Sequence, residues 1–395
     1  MIRFLLATVS VVGLAAGAHA QDDVKLGVLL GFTGPIESLT PPMAWAVDRA
    51  AMEATESGAF LGGASVTAVR ADSTCIDSAV ATAAAEQLVT AEMVSGIVGA
   101  DCSGVTGAVL QNVARPNGIV MISPSATSPA LSTAEDDGLF FRTAPSDSRQ
   151  GQVMSDVIMD RGITSVAVTY TNNDYGKGLA DSFAAAFTND GGTVTVSLAH
   201  EDGKGDYSAE IGTLDAAGGE ALVVVGYLDQ GGLGVIQGSL DSGAFDVFVL
   251  PDGMIGPSLV DNIGADLDGS FGQAPGSDSA GSMMLVDIAD SAGVDGTTPY
   301  VAEAYDSAAL IILAMQAAGS SMSADYKDMI FSVANAPGEV ILPGEIGKAL
   351  KILADGGEVD YSGASDVELI GPGEASGRFA EHEVADGAFN VVGYR

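Results

Sequence analysis

Basic side chains are scarce in this chain. Over 395 residues, 15 lysines and arginines stand against 52 aspartates and glutamates, a formal net charge of −37. A surface that neutralises phosphates or anionic lipid needs clustered Lys and Arg, so nucleic-acid binding is excluded as a working function. Aromatic residues make up 6% and tryptophan occurs once, whereas hydrophobic residues reach 47%, ample for a core and too many for a disordered chain. No GxSxG elbow, Walker-type phosphate loop or GxGxxG fingerprint is present. With three histidines in all, general-base or triad chemistry has little to draw on, which weighs against an exported enzyme. Beyond the N-terminus no run reaches the roughly 18 apolar residues that mark a membrane helix.

The N-terminus itself reads as an export signal. Arg3 supplies a positive start, Phe4 to Gly17 are apolar or small, and Ala18-His19-Ala20 forms a small-x-small cleavage pattern before Gln21. Cleavage after Ala20 delivers the chain to the periplasm, and no cysteine follows the run to carry a lipid. Export also colours the reading of Cys75 and Cys102, the only cysteines. An even count in an oxidising compartment favours a disulfide, with two buried thiols as the alternative. A metal site is poorly served, since His200 and His382 lie far apart, and no metal or cofactor is expected.

Past residue 23, strand-like and helix-like stretches alternate. Val24 to Leu30 is nearly continuously apolar, as in a strand covered on both faces. Ala64 to Ala71, Val94 to Gly99 and Ile119 to Ile122 read as further strands, with helices between. The pattern then restarts at Val166 to Tyr170, followed by Val194 to Leu198, Ala221 to Val225 and Val247 to Leu250. The fold class is therefore α/β: two Rossmann-like lobes with parallel sheets. The expected division is a signal at 1–20, one lobe of 21–143 plus 275–360, and another of 144–274 plus 361–395. Three crossover segments are expected, near Arg142 to Pro145, Phe271 to Gly276 and Asp360 to Ser365. Such a hinge bends without releasing either lobe.

Open parallel sheets bind ligands at the C-terminal ends of their strands, and polar residues gather there. In the first half Ala100-Asp101-Cys102-Ser103-Gly104 precedes a helix, and Ser123-Pro124-Ser125-Ala126-Thr127-Ser128-Pro129 forms a hydroxyl-rich loop. In the second half the equivalent ends carry Asn173-Asp174-Tyr175-Gly176, Gly226-Tyr227-Leu228-Asp229 and Pro251-Asp252-Gly253. Spacing alone is equally compatible with plain capping and turn bonding for these residues.

ISPSATSPALS (Ile122 to Ser132), NNDYGKGLA (Asn172 to Ala180), PSDSRQG (Pro145 to Gly151) and YDSAAL (Tyr305 to Leu310), with the two cysteines, carry a resemblance. Together they resemble the leucine/isoleucine/valine-binding proteins, type I periplasmic solute-binding proteins of ABC importers. The resemblance implies two lobes joined by three crossovers, no enzymatic activity, a disulfide between Cys75 and Cys102, and a monomer. Its implied partners are a small molecule, with an amino acid first, and an ABC permease with its ATPase. It places Ser103 and Thr127 on the ligand carboxylate, and Ser125, with Ala126 beside it, as a backbone contact on the ammonium side. Tyr175 and Tyr227 would cover the ligand, and Asp252 would pair with the ammonium. Ser38 and Leu39 would line the side-chain pocket. Glu37, in a loop that departs from the family pattern, is read either as a contact for a basic ligand or as a solvent-facing acid. A ligand sensor of the same fold, or a binder of amides or small carboxylates, is the alternative reading.

Overall fold

The computed structural model describes residues 23–395; the export segment read at 1–20 lies outside the described residues. Two seven-stranded sheets organise the chain. The first begins with β1 (Val24–Leu30), β2 (Val66–Asp72), β3 (Gly96–Gly99), β4 (Met121–Ser123) and β5 (Phe140–Arg142). The second begins with β6 (Ser165–Thr171), β7 (Thr193–His200), β8 (Ala221–Val225), β9 (Phe248–Leu250) and β10 (Phe271–Pro275). All of these pair in parallel, in the spatial orders β2-β1-β3-β4-β5 and β7-β6-β8-β9-β10. The two orders are identical. In each, the chain leaves its first strand on one side and its third on the other, so the crevice at this switch point opens above the C-terminal ends of β1 and β3, or of β6 and β8.

Local sequence explains the elements that frame those ends. β3, β4, β8 and β9 are buried along their whole length, which is why they read as apolar runs without alternation. Asp77, Ser146 and Asn173 cap the helices Ser78–Thr90, Asp147–Asp160 and Asp174–Asn189 through their side-chain oxygens. Gly176 opens the last of these against β6; a Cβ there would lie 2.1 Å from the Thr171 carbonyl oxygen, so only glycine allows the approach. The helix Val301–Ala318 is long and apolar enough to cross a membrane, yet 83% of it is buried inside the protein. It packs on the helix Thr40–Ser57 and on β3 and β4, and so belongs to the first lobe.

One of the expected crossings needs correction. The crossing expected near 271–276 falls at the end of that window: β10 pairs with β9, and the chain leaves the second lobe after Pro275. After β11 (Glu339–Ile341) and β12 (Val359–Tyr361), the short strands β13 (Leu369–Ile370) and β14 (Glu374–Ala375) join the first sheet, where β14 pairs with β5. Residues 361–375, expected in the second lobe, thus stand with the first. The last crossing falls between Ala375 and β15 (Phe379–Ala385), which pairs with β10 and with β16 (Ala388–Tyr394). Two-residue strands carry no readable alternation; here Asn335 clasps both backbone groups of Leu369 in β13, and an ion pair between Arg142 and Glu374 at 2.5 Å joins β14 to β5.

Cys75 and Cys102 form a disulfide with a Cα separation of 5.1 Å. It ties the loop after β2 to the start of the helix that Ser103 opens.

Candidate functional site

The strand ends of the two lobes meet around a small cavity of about 20 Å³. That is room for a single water, so any solute enters by parting the walls. The first lobe supplies Ile36, Leu39, Asp101, Cys102, Ser103 and Ser125, and the second Tyr175, Tyr227, Asp252 and Gly253; Tyr300 completes the wall.

Each polar group has a definite environment. Asp252 is 2% exposed, and its carboxylate accepts from Tyr175 Oη at 2.7 Å and from Tyr300 Oη. Burial raises its pKa, while the two phenols and the Gly253 amide pull the other way. The phenols themselves are held protonated: burial, with Asp252 nearby, raises Tyr175 and Tyr300 well above the ordinary tyrosine value. Tyr175 also stacks on Tyr227 with ring centroids 5.2 Å apart. Gly253 is required at its place, because a Cβ would stand 2.5 Å from the Gly226 carbonyl oxygen and 2.8 Å from Tyr175 Oη.

On the facing lobe, Ser103 Oγ accepts the Ser128 amide at 3.0 Å, and Ser125 Oγ donates to the Asp101 carbonyl at 3.0 Å. Thr127 is 1% exposed, and its hydroxyl has no partner among the described residues. Behind this loop the buried Arg142 guanidinium donates to the carbonyls of Ala126 and Ser128 at 3.1 and 2.9 Å and to Ser132 Oγ at 2.6 Å. Asp101 is fully buried and accepts from the Gly31 amide, Ser73 Oγ and its neighbour Cys102 N–H, which ties β1, β2 and β3 together below the cavity.

The lobes are closed on one another. The Asp229 amide donates to the Pro35 carbonyl at 3.1 Å, and the Ser38 amide donates to Asp229 Oδ2 at 2.9 Å. Tyr300, at the start of the first-lobe helix, reaches Asp252 of the second.

Against the sequence reading, Ser103, Ser125, Tyr175, Tyr227, Asp252 and Leu39 line the cavity. Ala126 and Thr127 do not: the Ala126 N–H donates to Ser123 Oγ at 2.9 Å and its carbonyl accepts from Arg142, so both of its backbone groups are taken inside the lobe, and Thr127 is buried behind the wall. Ser38 is likewise absent from the wall, and its amide serves the contact with Asp229. Glu37 is exposed and accepts the Gly34 amide at 3.3 Å, a turn contact facing solvent. Ile36 lies in the loop expected to line the side-chain pocket and Asp101 in the polar stretch after β3, whereas Tyr300 went unnoticed. Tyr300 carries a left-handed φ of +69°, a strained setting for a bulky side chain that no sequence pattern signals.

Two α/β lobes clasped over a cavity walled by hydroxyls, phenols and two carboxylates have the architecture of a solute-binding protein. A family model described as periplasmic binding protein matches residues 23–332, and the chain belongs to that family, in its Leu/Ile/Val-binding-like, type I branch. It is 32% identical over 229 residues to a Leu/Ile/Val-binding protein homolog of Brucella melitensis, covering 58% of this chain and 60% of that protein. It is 28% identical over 364 residues to the chemotactic signal transduction system substrate-binding protein BasB of Halobacterium salinarum, covering 88% and 83%. Among solved structures it is similar to a solute-binding protein of an ABC transporter from Rhodopseudomonas palustris in complex with p-hydroxybenzoic acid. There the TM-score is 0.76 at 18% identity, over 95% of this chain and 97% of that one.

Proposed function

We propose that the chain captures a small zwitterion, in the first place an amino acid, between its lobes in the periplasm. As a monomer, it then presents the closed form to an ABC permease and its ATPase. The observation that supports this best is Asp252: a buried carboxylate from one lobe, steadied by a tyrosine from each, sharing the cavity wall with Ser103 and Ser125 on the other. A zwitterion brings two charges whose desolvation is costly unless both are met. In this reading the hydroxyl side takes the carboxylate and Asp252 takes the ammonium. Because the two halves stand on different lobes, full contact requires closure, and the solute shifts the population toward the closed form.

The Leu/Ile/Val-binding name of the Brucella relative favours an aliphatic amino acid. The name of the halobacterial relative favours a second reading, a sensor of the same fold that hands its closed form to a signalling receptor. Neighbouring permease and ATPase genes separate the two.

A thermal-shift panel of amino acids, polyamines and small carboxylates identifies the solute, because binding raises stability by RT ln(1 + [L]/Kd). Asp252→Ala is then expected to weaken amino-acid binding by about 2–3 kcal/mol, the cost of leaving a buried charge unpaired. Unchanged affinity in that variant refutes the assignment.

A further inference from the structure

At the hinge lies a second cavity, of about 500 Å³, far larger than the one between the strand ends. Gly276, Ser277 and Asp278, by which the chain leaves the second lobe, form part of its wall. The first lobe adds the helix Ala280–Ser291 and the turn that opens the helix Val301–Ala318, and the second adds β15 and β16. Small-molecule sites run to ~300–1,000 Å³, so this cavity has the size of a ligand site. It touches the solute cavity at one residue, Tyr300, which lines both.

Its walls divide by chemistry. Met283, Val391 and Tyr394 are 60%, 50% and 37% exposed and give it an apolar mouth on a chain otherwise skinned with acids. Val286 continues this surface inward, and methionine in particular adapts to a guest. Deeper in, the wall is polar: Glu303 is 3% exposed, with buried Ser277 and Thr298 also lining the space. Glu303 stands in the first turn of its helix, where its own backbone amide bonds the carboxyl. Asp306, one turn further on, repels it, and among the described residues no Lys or Arg pairs with it. Burial pushes this carboxyl up to about 8.

The other ionisable groups decide which guest fits. Asp278 is already paired with Arg378 at 2.8 Å, and Asp287 is exposed on the rim. His382 is uncharged at neutral pH, because burial lowers its pKa to about 4. No Lys or Arg lines the cavity. An anion finds no partner, since the helix N-terminus that would receive one already carries Glu303. A neutral guest leaves the buried acid as it is. A cation restores the ionised form by pairing with it, which is the larger gain.

We propose that the hinge cavity is a second binding site, separate from the solute cavity, for an apolar primary amine whose ammonium pairs with Glu303 while its body lies against Met283, Val286 and Val391. The site does not depend on which solute the lobes capture. No bond is made or broken; below the pKa of Glu303 the acid gives its proton to the solvent as the ammonium arrives.

The test is titration calorimetry at about pH 9, where Glu303 is ionised and an alkylamine still carries its charge. Three probes share one six-carbon chain and differ in the head: hexylammonium chloride, 1-hexanol and sodium hexanoate. Each is titrated into the wild type and into Asp252→Ala, which lacks the carboxylate of the solute cavity. Hexylammonium is expected to bind one site per chain, about tenfold or more tighter than hexanol, with hexanoate weaker still, and to keep that site in Asp252→Ala. In the Asp252→Ala background, Glu303→Gln is expected to weaken hexylammonium by about 10- to 100-fold and to leave hexanol within about twofold. Val391→Trp, on the half-exposed edge strand β16, narrows the mouth and is expected to weaken both probes. Melting curves check that each variant folds. Hexylammonium binding that vanishes in Asp252→Ala places the amine in the solute cavity and overturns the proposal. Equal affinity for the three heads, or undiminished hexylammonium binding in Glu303→Gln, overturns it as well. So does the absence of saturable binding in the wild type, which needs no variant.

Discussion

Replacing Asp229 by alanine isolates the closing contact from the solute contacts. Asp229 does not line the cavity, but its carboxylate accepts the Ser38 amide at 2.9 Å across the lobes, next to Ile36 and Leu39, which do line it. The substitution removes that charge-assisted bond and leaves the neighbouring bond from the residue 229 amide to the Pro35 carbonyl available. Hydrogen bonds to charged groups contribute about 1.5–3 kcal/mol, and a half-exposed aspartate belongs at the lower end. About 1.5 kcal/mol lost from the closed form alone corresponds to roughly tenfold faster solute release. Association is expected to stay within about twofold, because the contact exists only once the lobes have met. Stopped-flow fluorescence can follow this through Trp45, the single tryptophan, half-buried on the helix that follows the Ile36–Leu39 loop. An unchanged dissociation rate, or a loss confined to association, refutes the assignment of Asp229 to closure.

Glu303 is buried with no ion-pair partner among the described residues, and burial raises its pKa from 4.5 to about 8. The folded state therefore holds a proton that the unfolded chain gives up between those values, and stability falls as pH rises through that window. Above it, Glu303→Gln is expected to be more stable than the wild type by on the order of 4 kcal/mol, which urea midpoints at about pH 6 and 9 measure. Parallel pH profiles for the two proteins would count against it. Reduction of the disulfide, which links residues 27 apart, is expected to cost about 3–4 kcal/mol in the chain-entropy model and to lower the melting temperature. A melting curve unmoved by reductant, with both thiols shown to be free, dismisses it.

How much of this was readable depended on the range of the interaction. β1 and β8 were located to the residue, because strands buried on both faces show as unbroken apolar runs. Repetition of the strand–helix alternation disclosed two lobes, and the polar residues after each strand pointed to the cavity. Contacts that join distant parts left no trace. The Ser38–Asp229 bond spans 191 positions and the Arg142–Glu374 pair 232. Tyr300 sits just ahead of the helix Val301–Ala318 with a left-handed backbone and bonds Asp252 across the lobes, 48 positions away. The misjudgement of Ala126 has a different source. In an extended loop successive residues alternate in direction, and Arg142 determines which set points inward.

That arginine has a consequence for capture. With its guanidinium bonded to two carbonyls and Ser132 of the loop and paired with Glu374 just ahead of the last crossing, one jaw is shaped when the protein folds rather than when the guest arrives. The entropy of ordering that jaw is already spent, so an encounter has only the swing of two stiff bodies left to complete.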